Sequence, residues 1–382
     1  MRARAEAFGA WVRVDDGTLV AVDREAARRL GVDGGALWSA PPCAPADVET
    51  SRPIEVHLAV TSRCAAGCTG CYLDATPDGE APPLDELIAR LRAVAEAGAF
   101  TVAFGGGEPL SRPDLGRLAD EARALGLTPV VTTSGLGLTR ARAAQLRGFA
   151  QANVSYDGIG EDYEAVRGFD GAEIAERAMA RLCDAGVPFG VNVVLTRSSF
   201  SRVAATVARA EALGAREVQL LRYKPAGRAR DASYLATRLS TDQVDALYPL
   251  VEALTRQHRF AIRIDCALVP LLASRPLDPA VLVRFGVFGC EAARHLGALR
   301  VDGRAAPCSF GPPSRDAGGP DLSEAWRRAP MAEPCRSCDL RTVCRGGCRV
   351  VALHLDGELG PDPECPRVRA HRKEHPSDGG AV

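Results

Sequence analysis

The sequence predicts an α/β fold: a partial (β/α)6 TIM-like barrel followed by a small cysteine-rich domain. Three observations predict it. From residue 54, six short apolar stretches alternate with amphipathic helical patterns in units of about 30 residues, the length of a strand–helix–strand unit. After residue 240 that periodicity lapses into Gly-, Pro- and Cys-rich sequence. Seven of the thirteen cysteines then fall between Cys290 and Cys365.

The elements follow in order. WVRV (11–14) and TLVAV (18–22) flank a DDG turn and read as a hairpin, with a helix over 23–31 and a linker, PPCAPADVETSRP, behind it. Strands are predicted at 55–60, 101–104, 128–133, 152–155, 189–194 and 217–221, and helices at 84–98, 114–126 and 171–186. Gly186 stands at the C-terminal cap of the last helix. Strand–helix repeats imply a parallel sheet with right-handed crossovers, and six repeats suit an open barrel better than a closed one of eight. A helix (241–257), a strand (260–264) and a hairpin turning at Asp302–Gly303 complete the reading. The implied divisions are 1–52 (hairpin, helix and linker), 53–265 (barrel), 266–370 (cysteine-rich domain) and 371–382 (a disordered tail).

Composition excludes several functions. A net charge of −1 gives no case for nucleic acid or an anionic membrane surface. No run of eighteen apolar residues exists, and MRARAEAFGAWVRVDDG has neither the apolar core nor the cleavage site of a signal peptide. The reading is a cytoplasmic protein, where thiols stay reduced and thirteen cysteines point to metal ligation.

Cys64, Cys68 and Cys71, in CAAGCTGCYLD, follow the first barrel strand, on the face where barrel active sites lie. Three thiolates on a short loop hold three corners of a cluster and leave one position open, the mark of a reactive site. A structural zinc loop completed by His57 or Asp74 is the alternative.

The spacing C-x3-C-x2-C at this place resembles the radical S-adenosylmethionine (SAM) enzymes. The resemblance implies a [4Fe–4S] cluster on Cys64, Cys68 and Cys71, with SAM on the fourth iron and reductive cleavage to a 5′-deoxyadenosyl radical. FGGGEPL (104–110), after the second strand, matches the family's motif for the methionyl amino group, placing Gly105, Gly106, Gly107 and Glu108 at SAM. Ser134 and Ser155, at later strand ends, and Asn192, on the fifth strand, are further SAM candidates, and Arg167 is a partner for the SAM carboxylate. The family's aromatic residue before the third cysteine is here Gly70, and Tyr72 is the candidate to supply the ring instead.

The C-terminal cysteines run Cys290-x12-Gly303-x4-Cys308, then Cys335-x2-Cys338-x5-Cys344-x3-Cys348, then Cys365. On their own, Cys335, Cys338, Cys344 and Cys348 would pass for a zinc ribbon. The whole pattern resembles the SPASM extension of radical SAM enzymes and implies two auxiliary [4Fe–4S] clusters, three in all. Cys290, Cys308 and Cys348 would bind the first auxiliary cluster, with Cys266 as fourth ligand or that iron left open. Cys335, Cys338, Cys344 and Cys365 would bind the second. Cys183 reads as helix core, and Cys43 as peripheral.

Enzymes of this type mostly modify peptides, so the resemblance implies a maturase that abstracts hydrogen from a ribosomally made peptide or protein and oxidises it to a thioether or carbon–carbon crosslink. A flavodoxin or ferredoxin would supply electrons. Alternatives are a haem- or porphyrin-pathway oxidase, disfavoured by only six histidines, and formylglycine formation on a sulfatase. An iron–sulfur electron carrier is a further alternative, opposed by the open first site. The N-terminal hairpin offers a sheet edge for peptide strand addition or is a cap on the barrel. Arg222, Tyr223 and Lys224, leaving the sixth strand, are candidates to face substrate.

Overall fold

The computed structural model describes residues 2–14, 17–41, 50, 52–231, 233–314 and 322–376. Three N-terminal strands, β1 (Arg2–Glu6), β2 (Gly9–Arg13) and β3 (Leu19–Asp23), form an antiparallel sheet in that order, with α1 (Arg24–Arg29) packed on it. β2 and β3 are the expected hairpin. β1 is an addition that RARAE does not announce, since it has none of the β-branched or aromatic residues that mark a strand.

The barrel strands are β4 (Glu55–Thr61), β5 (Thr101–Gly106), β6 (Thr128–Thr133), β7 (Gln151–Ser155), β8 (Phe189–Leu195) and β9 (Glu217–Arg222). Between them run α2 (Leu84–Glu96), α3 (Leu115–Ala124), α4 (Arg140–Gln145), α5 (Glu161–Arg167), α6 (Ala172–Asp184) and α7 (Val203–Ala212). The strands pair in parallel in sequence order. Apolar helix stripes cover them: Leu87, Leu91 and Val94 of α2, and Ala175, Ala178 and Leu182 of α6, are all buried. Gly186 caps α6 at φ +68°, as its position predicts. Cys183 departs from expectation. Leu182 takes the buried slot, and the next residue turns its thiol out to solvent.

After α8 (Tyr234–Thr237) and α9 (Thr241–Gln257), β10 (Ala261–Ile264) adds in parallel outside β9. The cysteine-rich region holds α10 (Pro279–Arg284), the hairpin β11 (Leu296–Leu299) and β12 (Ala305–Ala306), α11 (Leu322–Arg327), α12 (Arg341–Cys344), α13 (Arg349–Leu355) and α14 (Pro366–Glu374). The hairpin is the expected one, but β11 also pairs in parallel with β4. Among the described residues one nine-stranded sheet, β10-β9-β8-β7-β6-β5-β4-β11-β12, therefore runs through barrel and cysteine-rich region alike. α14 carries helix to Glu374, into the stretch expected as a loose tail.

The N-terminal sheet docks at the end of the barrel where the strands begin. Arg2 donates to the carbonyls of Ala95 and Gly126, and Arg4 to those of Pro53 and Gly98. Both guanidiniums lie over the Phe100 ring, at 5.4 and 5.7 Å. These contacts make RARAE a strand. They also place the small sheet about 20 Å, one strand's length, from the opposite rim.

Candidate active site and auxiliary cysteine groups

The candidates of the first site gather towards the rim where the parallel strands end, with Asn192 lying inside β8 rather than at its end. Cys64, Cys68 and Cys71 sit on the loop after β4, folded back so that the Cys64 N–H donates to the Thr76 carbonyl (2.8 Å). Two other elements clamp the loop. Arg228, beyond β9, donates from its backbone N–H to Cys71 O (2.9 Å), from Nε to Cys68 O (2.9 Å) and from Nη1 to Ala75 O (3.1 Å). The C-terminal end of α5 presses on the other side, where the Arg167 carbonyl accepts from the Thr69 N–H (3.0 Å).

The glycine run after β5 lies against the start of the same loop. Gly107 N–H donates to Thr61 O (2.7 Å) and Glu108 N–H to Arg63 O (2.8 Å). Gly106 has φ +117°, and a Cβ there would overlap the Thr61 carbonyl, so this close approach requires glycine. The buried Glu108 carboxylate accepts four hydrogen bonds. Oε1 takes Leu110 N–H (3.0 Å) and Thr133 O–H (2.7 Å); Oε2 takes Ser134 N–H (2.8 Å) and Ser134 O–H (2.5 Å). Burial nevertheless pushes its pKa above the usual carboxylate value, the hydrogen bonds opposing. Ser134 therefore reaches the site through Glu108.

Arg167 is paired with buried Asp157 (2.6 Å), and its Nη1 stands 3.8 Å from Cys68 Sγ. Asp157, in the VSYDG stretch, was not singled out from sequence. Its other oxygen accepts from Val194 N–H (2.6 Å), so it fixes Arg167 to β8. Ser155 and Asn192 face each other in register on β7 and β8, further along the rim. The Tyr72 ring packs on Phe310 at 4.7 Å, and burial raises its phenol to about 12. The ring over Gly70 is instead Tyr223, whose Cε2 and Oη lie 2.8 and 2.9 Å from where a Gly70 Cβ would stand.

Arg222 and Lys224 do not face open space as substrate contacts would. Arg222 is buried, bonded to both oxygens of Asp362 (2.5 and 3.1 Å), to Glu364 (2.6 Å) and to Ala267 O (2.9 Å). Lys224 is buried in an ion pair with Asp265. Their alternation along one extended stretch sends these side chains into the protein.

The C-terminal cysteines gather into two groups. Cys290 and Cys348 lie in one buried cluster with Ala267, Trp326 and Val351, and Cys308 and Phe310 pack on it. Burial, then the charges of Asp265, Cys290 and Cys348, push the Cys266 thiol well up, placing it with them. Cys308 rises to about 11 and Cys348 to about 12, burial first in both. Cys335, Cys338, Cys344 and Cys365 share a second apolar cluster with Leu340 and Val343. There burial, then neighbouring Cys365 and Cys338, push Cys335 up to about 12. None of the described cysteines is in a disulfide, and Cys43 lies outside the described residues.

The zinc alternative for the first loop lacks its fourth ligand. His57 is turned to Glu55 (2.8 Å) and Ser309 (2.5 Å), and Asp74 is exposed, so neither completes a zinc site with the first loop. Among the described residues no three His, Cys, Asp or Glu side chains converge as a single metal ion demands.

Fold and site together define an iron–sulfur enzyme built on an open α/β barrel. Residues 58–209 match the radical SAM superfamily. The chain is 30% identical over 339 residues to the PqqA peptide cyclase of Gluconobacter oxydans, covering 82% of this chain and 91% of that protein. It is also 30% identical over 352 residues to the PqqA peptide cyclase of Ruegeria pomeroyi, covering 86% and 91%. Among solved structures it shares its fold with Streptococcus suis SuiB bound to S-adenosylmethionine (TM-score 0.69, 16% identity, 96% of this chain and 98% of that one). It likewise resembles anSMEcpe with bound AdoMet (TM-score 0.61, 17% identity, 85% and 97%). The chain belongs to the radical SAM enzymes, in the SPASM-bearing, peptide-maturing branch. Members of that family carry a [4Fe–4S] cluster and bind SAM. No helix among the described residues is long and apolar enough to cross a membrane.

Proposed function

We propose that this protein is a radical SAM maturase that crosslinks a ribosomally made peptide, using three [4Fe–4S] clusters. The observation that carries the reading is the gathering of eleven cysteines into one rim loop and two apolar groups, in a chain whose relatives are named PqqA peptide cyclase. When bound, the first cluster and SAM supply a 5′-deoxyadenosyl radical for hydrogen abstraction. The chain's residues do the rest. Cys64, Cys68 and Cys71 hold the cluster, clamped by Arg228 and Arg167. Gly105–Gly107 bring backbone to the methionyl end of SAM, and Glu108 ties that rim to Thr133 and Ser134 and supplies negative charge.

Cys266, Cys290, Cys308 and Cys348 hold the first auxiliary cluster, and Cys335, Cys338, Cys344 and Cys365 the second, each matching the usual four-thiolate ligation. A flavodoxin or ferredoxin delivers electrons. The outer edge of β3, unpaired among the described residues, adds the substrate's leader as a further strand.

The test is anaerobic reconstitution. Wild type should hold about twelve iron atoms, and Cys64/Cys68/Cys71→Ala about four fewer. With SAM and reductant, wild type should release 5′-deoxyadenosine slowly without peptide, and the triple variant none. A zinc-dominated protein with little labile sulfide would overturn the reading.

A further inference from the structure

Lys224 is a buried cation that takes no part in holding the rim loop or the glycine run. It stands two residues past β9, with its side chain 6% exposed, and its ammonium pairs with Asp265, the residue before Cys266. On its other side Nζ lies 4.1 Å from the centroid of Phe310, two residues past Cys308. Phe310 and Cys308 pack together on the cluster that contains Cys290 and Cys348. The ammonium thus sits between the neighbour of Cys266 and a ring that packs with Cys308 on the first auxiliary group.

Lys224 and Asp265 are not the sole charges there, since Arg222 and Asp362 also act on Cys348, but the two do not act alike. Asp265 is anchored on backbone, accepting from Ala267 N–H (3.1 Å) and Arg222 N–H (3.3 Å). Its charge bears on Cys266, whereas the Lys224 charge bears on Cys266, Cys308 and Cys348. Lys224 keeps its proton, because Asp265 and the thiols raise its pKa against burial. In the second group, the charges on Cys335 and Cys344 come from the neighbouring cysteines and Asp362, with Glu333 also acting on Cys335.

We propose that Lys224 sets the reduction potential of the first auxiliary cluster, its buried ammonium raising that potential while Asp265 lowers it. The physical reason is charge. Reduction adds one negative charge to the cluster, and a cation held beside it in a low-dielectric interior stabilises the reduced form. Lys224 is a positioning residue, acting through the cluster and touching no substrate. The inference rests on the first auxiliary group being a cluster site.

The test is a potentiometric titration of full-length, iron-loaded protein followed by electron paramagnetic resonance, with the first auxiliary signal assigned by its loss in Cys290→Ala/Cys308→Ala. Lys224→Met should make the reduced-to-oxidised ratio at fixed potential at least tenfold smaller, about 59 mV for a one-electron couple. Asp265→Asn should shift it the opposite way, Lys224→Arg should stay near wild type, and the second auxiliary signal should not move. Opposite signs are the decisive feature, since a merely structural role would move both variants alike. Shifts of the same sign, or none, overturn the proposal. If Lys224→Met loads no iron, Asp265→Asn decides: a raised potential beside an unmoved Lys224→Arg supports the proposal, and a lowered or unmoved potential in Asp265→Asn overturns it. A wild type lacking the first auxiliary signal refutes the cluster assignment itself, before any variant is made.

Discussion

Arg222→Met cuts the charged joint between barrel and cysteine-rich region. The guanidinium is buried, with Asp362 and Glu364 as its carboxylate partners. Glu364 keeps Arg238 and the Tyr234 hydroxyl after the change, so Asp362 is the carboxylate that loses its bonded cation. The cost is therefore that of breaking one buried pair, about 3–5 kcal/mol. That is roughly two to three and a half powers of ten in the local unfolding constant. The assay is urea unfolding of the metal-free protein read by buried Trp326, with Trp11 and Trp38 changed to Phe. Adding Asp362→Asn removes the stranded charge and should recover more than half of the loss. Asp362 also accepts from the Cys348 N–H (2.9 Å), so Arg222→Met should cost the first auxiliary cluster its iron before the rim cluster. A loss under about 1 kcal/mol, the size of a surface pair, would refute the reasoning, as would Asp362→Asn adding its full cost on top.

Three further outcomes are expected. Glu108→Ala removes charge-assisted hydrogen bonds worth about 1.5–3 kcal/mol and should weaken SAM binding roughly 10- to 100-fold at unchanged iron content. Iron loss equal to that of the triple cysteine variant would make Glu108 scaffold only. Cys266→Ala should keep most of its iron but change the spectrum of the first auxiliary cluster, since ligand identity tunes it. An unchanged spectrum with normal peptide modification would make Cys266 core. Finally, folded thiols with raised pKa bind protons more tightly than unfolded ones, so their contribution is complete below the ordinary thiol value near 9. It is lost as pH rises through about 11 for Cys308 and about 12 for Cys348. Urea unfolding of the metal-free protein should show wild type losing more stability over that window than Cys308→Ala/Cys348→Ala, and parallel losses would contradict it.

The sequence by itself determined the strand–helix alternation, the cysteine spacings and the placing of Gly105–Glu108 after a strand. Each is local. Periodicity is set by which face is buried, and a strand-end motif needs only its own strand to reach the rim. What only the tertiary structure decided joins residues far apart in the chain. RARAE becomes a strand because its arginines find Phe100 and the carbonyls before β5 and β6. The β11 strand continues the barrel sheet because backbone pairing with β4 leaves no mark in side-chain pattern. Arg222 and Lys224 look like an exposed basic loop until Asp362, Glu364 and Asp265 arrive from residues later in the chain, and burial then turns two surface charges into an anchor and a cation beside the auxiliary thiols. The open space at Gly70 reads as a missing aromatic, and Tyr223 fills it from five strands along the rim, a distance no local pattern records.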